Sequence, residues 1–183
     1  MKLTVTKEGY NELVLVEQGT NSDILPGRFR NFSGEKRKSK AGKIINDEGK
    51  MNFNLRLDLP VEALDQLAAI GLKITELPPT DDSYGDEPLR FVKVNVAFGG
   101  KQDPNLYLIT DNKKKRLTEK QCALLDGSRF SKVELVMRTY HRDENSTTLY
   151  LNNGFFYIEQ DPISAKYADF EEIGDEDDEE LPF

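Results

Sequence analysis

Gly27-Arg28-Phe29-Arg30-Asn31-Phe32 alternates cations with aromatic rings and then runs into Lys36-Arg37-Lys38, Lys40 and Lys43. Guanidinium and ammonium groups hold phosphates, and flat rings offer faces on which bases stack, each stack being worth roughly 1–3 kcal/mol. The chemistry on offer is non-covalent recognition of an anionic chain with planar side groups. Taken as a strand, the first segment turns Arg28, Arg30 and Phe32 outward and Phe29 into the core. Further candidates stand on the polar faces of alternating runs: Arg56, then Phe91 with Lys93, Tyr107, and Lys132, Arg138 and Tyr140. Lys113-Lys114-Lys115-Arg116 reads equally well as a phosphate contact or as an exposed basic turn.

Covalent chemistry finds little support. Gly34 to Lys43 superficially resembles a phosphate loop, but the Gly-four-residues-Gly-Lys-Ser/Thr spacing fails and Ile44 follows Lys43. Cys122 is the only cysteine and His141 the only histidine, so neither a disulfide framework nor a Cys/His zinc site can be built. The acids that could bind magnesium are densest near the C-terminus, where nothing fixes their geometry. The expectation is a protein that is not an enzyme and needs no metal or cofactor.

The elements that must position these residues are mostly strands. Met51 to Leu59 alternates strictly, and Arg90 to Phe98 repeats the signal with Val92, Val94, Val96 and Phe98 on one side. Arg129 to Arg142 places Val133, Leu135 and Met137 on one face. The turn at Asp143 to Ser146 and the Asn153-Gly154 dipeptide, a favoured type I′ hairpin sequence, predict that this run continues as a three-strand antiparallel meander. Strands are also predicted at Leu3 to Thr6, Leu13 to Glu17, Gly27 to Phe32 and Leu106 to Thr110. Helices are few: Pro60 opens Val61 to Ile70 with Gly71 as its cap, and Thr118-Glu119-Lys120-Gln121 is a capping box leading into Cys122 to Leu125. Ser33 to Lys50 reads as a long basic loop. The fold class is mainly β: an antiparallel OB-fold-like barrel with one or two short helices.

The charge is segregated. The chain carries a net −8, yet nine acids and no base lie between Asp169 and Phe183, so residues 1–168 hold 25 basic against the remaining 24 acidic residues. Arg28 to Lys50 has eight basic and three acidic residues, a net of +5. The acidic segment cannot bury enough apolar surface to order itself, which predicts a body at 1–168 and a disordered tail at 169–183. A solvating tail has no need of an apolar tip, but Leu181-Pro182-Phe183 supplies a ring, a carboxylate and a backbone stiffened by proline, the handles of a docking peptide.

That ending, acids followed by an apolar residue, Pro and terminal Phe, resembles the tail of bacterial single-stranded DNA-binding proteins, which usually have Ile where Leu181 stands. The resemblance implies that Asp177, Asp178, Glu179, Glu180, Leu181, Pro182 and Phe183 bind replication, recombination and repair proteins. The body is more similar to bacteriophage-encoded single-stranded DNA-binding proteins, implying single-stranded DNA as partner. The competing reading is a protein-interaction adaptor or virion-associated β-sandwich that binds no nucleic acid. The charged N-terminus and the absence of a run of about 18–20 apolar residues predict a cytoplasmic protein without a membrane partner, in a host cytoplasm if phage-encoded. Homo-oligomerisation is left open.

Overall fold

The computed structural model describes residues 1–19, 24, 29–79, 86–110, 113–144 and 146–158. The chain opens with a hairpin, β1 (Lys2–Glu8) and β2 (Asn11–Gly19). Gly9, at φ 63°, begins its two-residue turn, where a primed hairpin turn requires a positive φ. Then come β3 (Arg30–Asn31), β4 (Arg37–Lys38), β5 (Ile44–Asn46), β6 (Met51–Arg56), α1 (Val61–Ala69), β7 (Thr75–Leu77), β8 (Leu89–Val96), β9 (Asn105–Thr110) and β10 (Lys113–Arg116). A 3-10 turn at Lys120–Ala123 leads into α2 (Leu124–Gly127), and the described chain ends in two long strands, β11 (Phe130–Asp143) and β12 (Ser146–Ile158).

The mainly β reading with two short helices holds, but the sheet does not close into a barrel. Its main path runs β1-β2-β11-β12-β8-β6-β3. One edge of β12 is taken by β11, and the other is shared in parallel fashion: Leu149–Tyr150 pair with β8 and Asn153–Tyr157 with β9. The sheet is therefore mixed, and its strands fan apart at β12 instead of curling back to a common edge. Among the described residues no ladder joins β1 to β3 or β10.

The predicted turn at Asn153-Gly154 is corrected, because β12 runs straight through it. Gly154 is there for space: a Cβ would lie 2.6 Å from Cε2 of Phe156, whose ring is fully buried against Phe32 and Phe130 and has nowhere to go. Of the strand expected over Gly27 to Phe32, the described residues form only β3, and Gly27 and Arg28 lie outside them. The Ser33 to Lys50 loop is also corrected, since it contains the antiparallel β4–β5 pair, a separate two-stranded arm.

Both helix signals form, the first over Val61–Ala69 and the second as the 3-10 turn that passes into α2. Gly71 (φ 86°) ends α1 in a Schellman motif, Gly71 N–H donating to Ala68 O (2.9 Å) and Leu72 N–H to Leu67 O (3.3 Å). Thr118 N–H donates to Gln121 Oε1 (3.1 Å) while Gln121 N–H donates to Thr118 Oγ1 (3.4 Å), the reciprocal capping box. Leu64 and Leu67 of α1 and Leu125 of α2 close over the inner sheet face, formed by Val14, Phe53, Leu55, Val94, Leu106, Leu135, Met137 and Phe156. Each such side chain contributes roughly 1.5–3 kcal/mol of transfer free energy. Cys122 sits in this core, where burial pushes its thiol up to about 11. Among the described residues no helix is long and apolar enough to cross a membrane.

Candidate nucleic-acid interface

The face of the sheet opposite the core is where cations and rings gather. Along β11 the odd-numbered Val133, Leu135, Met137 and Thr139 are buried, so Lys132, Glu134, Val136, Arg138 and Tyr140 face outward. Their partners on β12 are Tyr157, Phe155, Asn153, Tyr150 and Thr148. Val136 pairs with Asn153 and Met137 with Leu151, which leaves Asn152 as a bulge. The extra residue shifts the alternation, so Tyr150 and Phe155 share the outer face although they stand five positions apart, an odd offset.

Tyr107 on β9 pairs with Phe155 and its ring stacks on it at 5.2 Å, 13° from parallel. On β10, Lys114 stands opposite Ile109 and Arg116 opposite Tyr107. The Lys114 Nζ covers this pair, 4.1 Å from the Tyr107 centroid and 5.0 Å from that of Phe155. Such a cation–π contact keeps an ammonium beside a platform that a base can use. Lys132 Nζ lies 4.9 Å from the Tyr157 ring and pairs with Glu134 at 2.6 Å, while the Tyr157 hydroxyl donates to Glu134 at 3.0 Å. The Lys132 hydrogen bond holds the Glu134 carboxyl below its ordinary value, and burial with the bond to Glu134 pushes the Tyr157 hydroxyl up.

Farther along the same hairpin, Tyr140 (58 % exposed) and Tyr150 (37 %) flank Arg138 at a groove of about 450 Å³ to which Lys101 and Asn152 also contribute. One Arg138 nitrogen, Nη2, is paired with Glu8 at 2.9 Å, and Nε is buried without a hydrogen-bond partner. About 15 Å of strand separates Tyr150 from Phe155, so the two aromatic groups form one track along the hairpin. Asn95 pairs with Tyr150, which carries the same face onto β8 and β6, with exposed Lys93 and half-buried Arg56.

Four predicted residues, Tyr107, Lys132, Arg138 and Tyr140, thus come together, with Lys93 and Arg56 beside them. Lys36, Lys38, Lys40 and Lys43 are exposed on the β4–β5 arm; Arg37 is half-buried at its root and donates to the Arg30 carbonyl. Three expectations are corrected. Arg30 is 2 % exposed: its Nη1 donates to Leu125 O (3.1 Å) and Ser128 O (2.6 Å), and its guanidinium lies 4.6 Å above the Phe130 ring. It closes the C-terminal end of α2, where a cation meets the last carbonyls. Phe32 is fully buried, stacked on Phe53 at 5.0 Å, because β3 ends at Asn31 and the alternation ends with it. Phe91 is on the expected face but is covered by the edge of Phe29 at 5.7 Å. Arg28 and the tail residues Asp177, Asp178, Glu179, Glu180, Leu181, Pro182 and Phe183 lie outside the described residues.

Sequence reasoning passed over Phe155 and Lys101 and did not commit to Tyr150, Tyr157 or Lys114. The supposed turn at Asn153-Gly154 hid the continuity of β12, and a one-residue bulge leaves no periodic signal. Among the described residues no group of three His, Cys, Asp or Glu side chains is placed to hold a metal ion.

A family model described as "Putative phage ssDNA-binding domain" matches residues 20–181. No curated protein and no solved structure matches the chain.

Proposed function

The chain belongs to the phage single-stranded DNA-binding domain family, and from that premise we propose that it coats single-stranded DNA without cutting it, through the outer face of β11, β12, β9 and β10. The observation that carries this site is the stacked Tyr107–Phe155 pair under Lys114, in line with exposed Tyr150 and Tyr140 beside Arg138. Rings accept any base on their faces, so binding is sequence-tolerant, and the neighbouring cations neutralise phosphates. A rigid duplex cannot offer splayed bases to a β surface, so single strands are preferred. The acidic residues 169–183 serve a second role, presenting Leu181-Pro182-Phe183 to replication, recombination or repair proteins after the body has bound.

The test is a titration of the full chain against labelled oligo-dT and matching duplex at several salt concentrations. The expected result is tight, salt-sensitive binding to the single strand, weak binding to duplex and an intact oligonucleotide in magnesium. Absence of single-strand binding would overturn the reading.

A further inference from the structure

The β4–β5 arm presents two adjacent isoleucines to solvent, Ile44 at 46 % and Ile45 at 59 % exposure, among exposed Lys36, Lys38, Lys40 and Lys43. Lys38 pairs with Ile44 and Arg37 with Asn46, so Ile45 is a bulge residue without a ladder partner. Bulges re-aim side chains, and here one enlarges an apolar patch on β5 that is left about half exposed.

The root of the arm is rigid. Asn46 Nδ2 donates to the carbonyls of Glu35 (2.9 Å), Asp47 (2.9 Å) and Lys50 (3.0 Å), and Gly49 N–H donates to Gly34 O at 2.8 Å. The two glycine segments cross so closely that a Cβ on Gly34 would lie 3.2 Å from the Gly49 carbonyl carbon. Ile45 adjoins this braced root, so it is held in place before any ligand arrives, which lowers the ordering cost of a contact.

Its position is tied to the aromatic track. Asn46 Oδ1 accepts from Asn52 Nδ2 at 2.8 Å; Asn52 pairs with Asn95 on β8, and Asn95 with Tyr150 on β12. Two interstrand steps, about 10 Å, thus separate Asn52, to which the arm's root is hydrogen-bonded, from an exposed base-stacking candidate. A groove of about 170 Å³ lined by Gly49, Lys50, Asn95, Phe98, Glu119 and Tyr150 runs from the base of the arm to that ring.

We propose that the arm is the second wall of the DNA channel, with Ile44 and Ile45 packing on bases and Lys38 and Lys43 on the adjoining phosphates; this rests on the single-stranded DNA reading above. Charge and continuity select the occupant. Four exposed lysines around an apolar patch suit a polyanion with planar bases, whereas the same patch of a second copy would bring like charges together.

Full-length Ile44→Thr/Ile45→Thr keeps β-branched residues in the arm but removes apolar surface. Against labelled oligo-dT it should bind about tenfold more weakly, in line with the loss of one base contact, with the slope of log K against log salt unchanged. Lys38→Ala/Lys43→Ala should instead lower that slope by about 1.4. On an abasic oligonucleotide the isoleucine variant should match the wild type, and Ile44→Phe/Ile45→Phe should bind oligo-dT at least as tightly as the wild type. Wild-type affinity of the Thr variant for oligo-dT, or an equal loss on abasic DNA, overturns the role of the arm while leaving the main reading standing. Failure of the wild type to bind oligo-dT overturns both.

Discussion

Tyr150 and Phe155 face the same side of the sheet because Asn152 is an extra residue in β12, inserted between the partners of Val136 and Met137. Without it, one of the two rings would point into the core, since a single-residue slip exchanges the faces of a strand. Tyr150→Ala and Phe155→Ala are each expected to weaken oligo-dT binding by about 1–3 kcal/mol, with little change in salt slope. Deletion of Asn152 is expected to abolish binding and to lower the unfolding midpoint, because the two aromatic groups can no longer occupy one face with the core intact. Full oligo-dT affinity in the deletion variant would falsify the single-track arrangement.

Arg30 and Lys114 are both cations over aromatic rings, yet they should respond oppositely to removal. Arg30 lies inside the protein and satisfies two carbonyls of the α2 end, while Lys114 lies outside over Tyr107 and Phe155. Arg30→Ala leaves buried acceptors unpaired and a void above Phe130, for a loss on the order of 3 kcal/mol of stability. For the folded fraction, the salt slope of DNA binding stays unchanged. Lys114→Ala should leave the thermal midpoint in place and reduce the slope by about 0.7, the share of one phosphate on a single strand. Calorimetric unfolding paired with salt titrations separates the two; a slope change in Arg30→Ala or none in Lys114→Ala would contradict these assignments.

That contrast marks how far the amino-acid sequence could be read. The alternation in β6, β8 and β11, the glycine ending α1 and the capping box at Thr118 are local signals, and the structure forms them as local chemistry dictates. Arg30 is different: what buries it are carbonyls of Leu125 and Ser128, about a hundred positions away, and no window around residue 30 contains them. The arm was hidden for a related reason. Its stability resides in the carbonyls gathered by Asn46 and in a glycine crossing, not in a hydrophobic period. On the outer face, the separate alternation of β9, β11 and β12 was legible in part, but their alignment into one track depends on the parallel β9–β12 pairing and on the bulge.

At the other end of the sheet, Glu12 ties β2 to β11. Thr139 Oγ1 donates to its Oε2 at 2.5 Å, and His141 Nε2 lies 2.6 Å from the same oxygen. Burial alone would raise the Glu12 carboxyl, but the hydrogen bonds from Thr139 and His141, with the attraction of His141, outweigh it and hold the group below the ordinary 4.5. A carboxyl depressed in the folded state stabilises the fold above its unfolded value and loses that contribution as pH falls through the folded one. Wild-type stability should therefore decline as pH drops below about 4.5. Glu12→Gln, which cannot ionise, should be less stable at neutral pH and show a shallower acid decline. Parallel acid limbs in denaturant titrations of the two proteins would refute the linkage.

The acidic residues 169–183 and the cationic outer face belong to one chain, so the face proposed to bind DNA meets a tethered polyanion at high effective concentration. The competition we propose is that, with DNA absent, the tail occupies part of that surface and incoming DNA displaces it. Removing residues 171–183 is accordingly expected to tighten oligo-dT binding several-fold at about 0.01 M salt, where screening extends to roughly 30 Å, and to have little effect near 0.15 M, where it shortens to about 8 Å. Deleting Phe183 alone leaves the nine acids in place. It should preserve the low-salt affinity of the full chain while disrupting any complex that docks the apolar tip. Equal affinity of truncated and full-length protein at low salt removes the competition and leaves the proposed recruiting role untouched, since the first rests on the charge of the tail and the second on its last three residues.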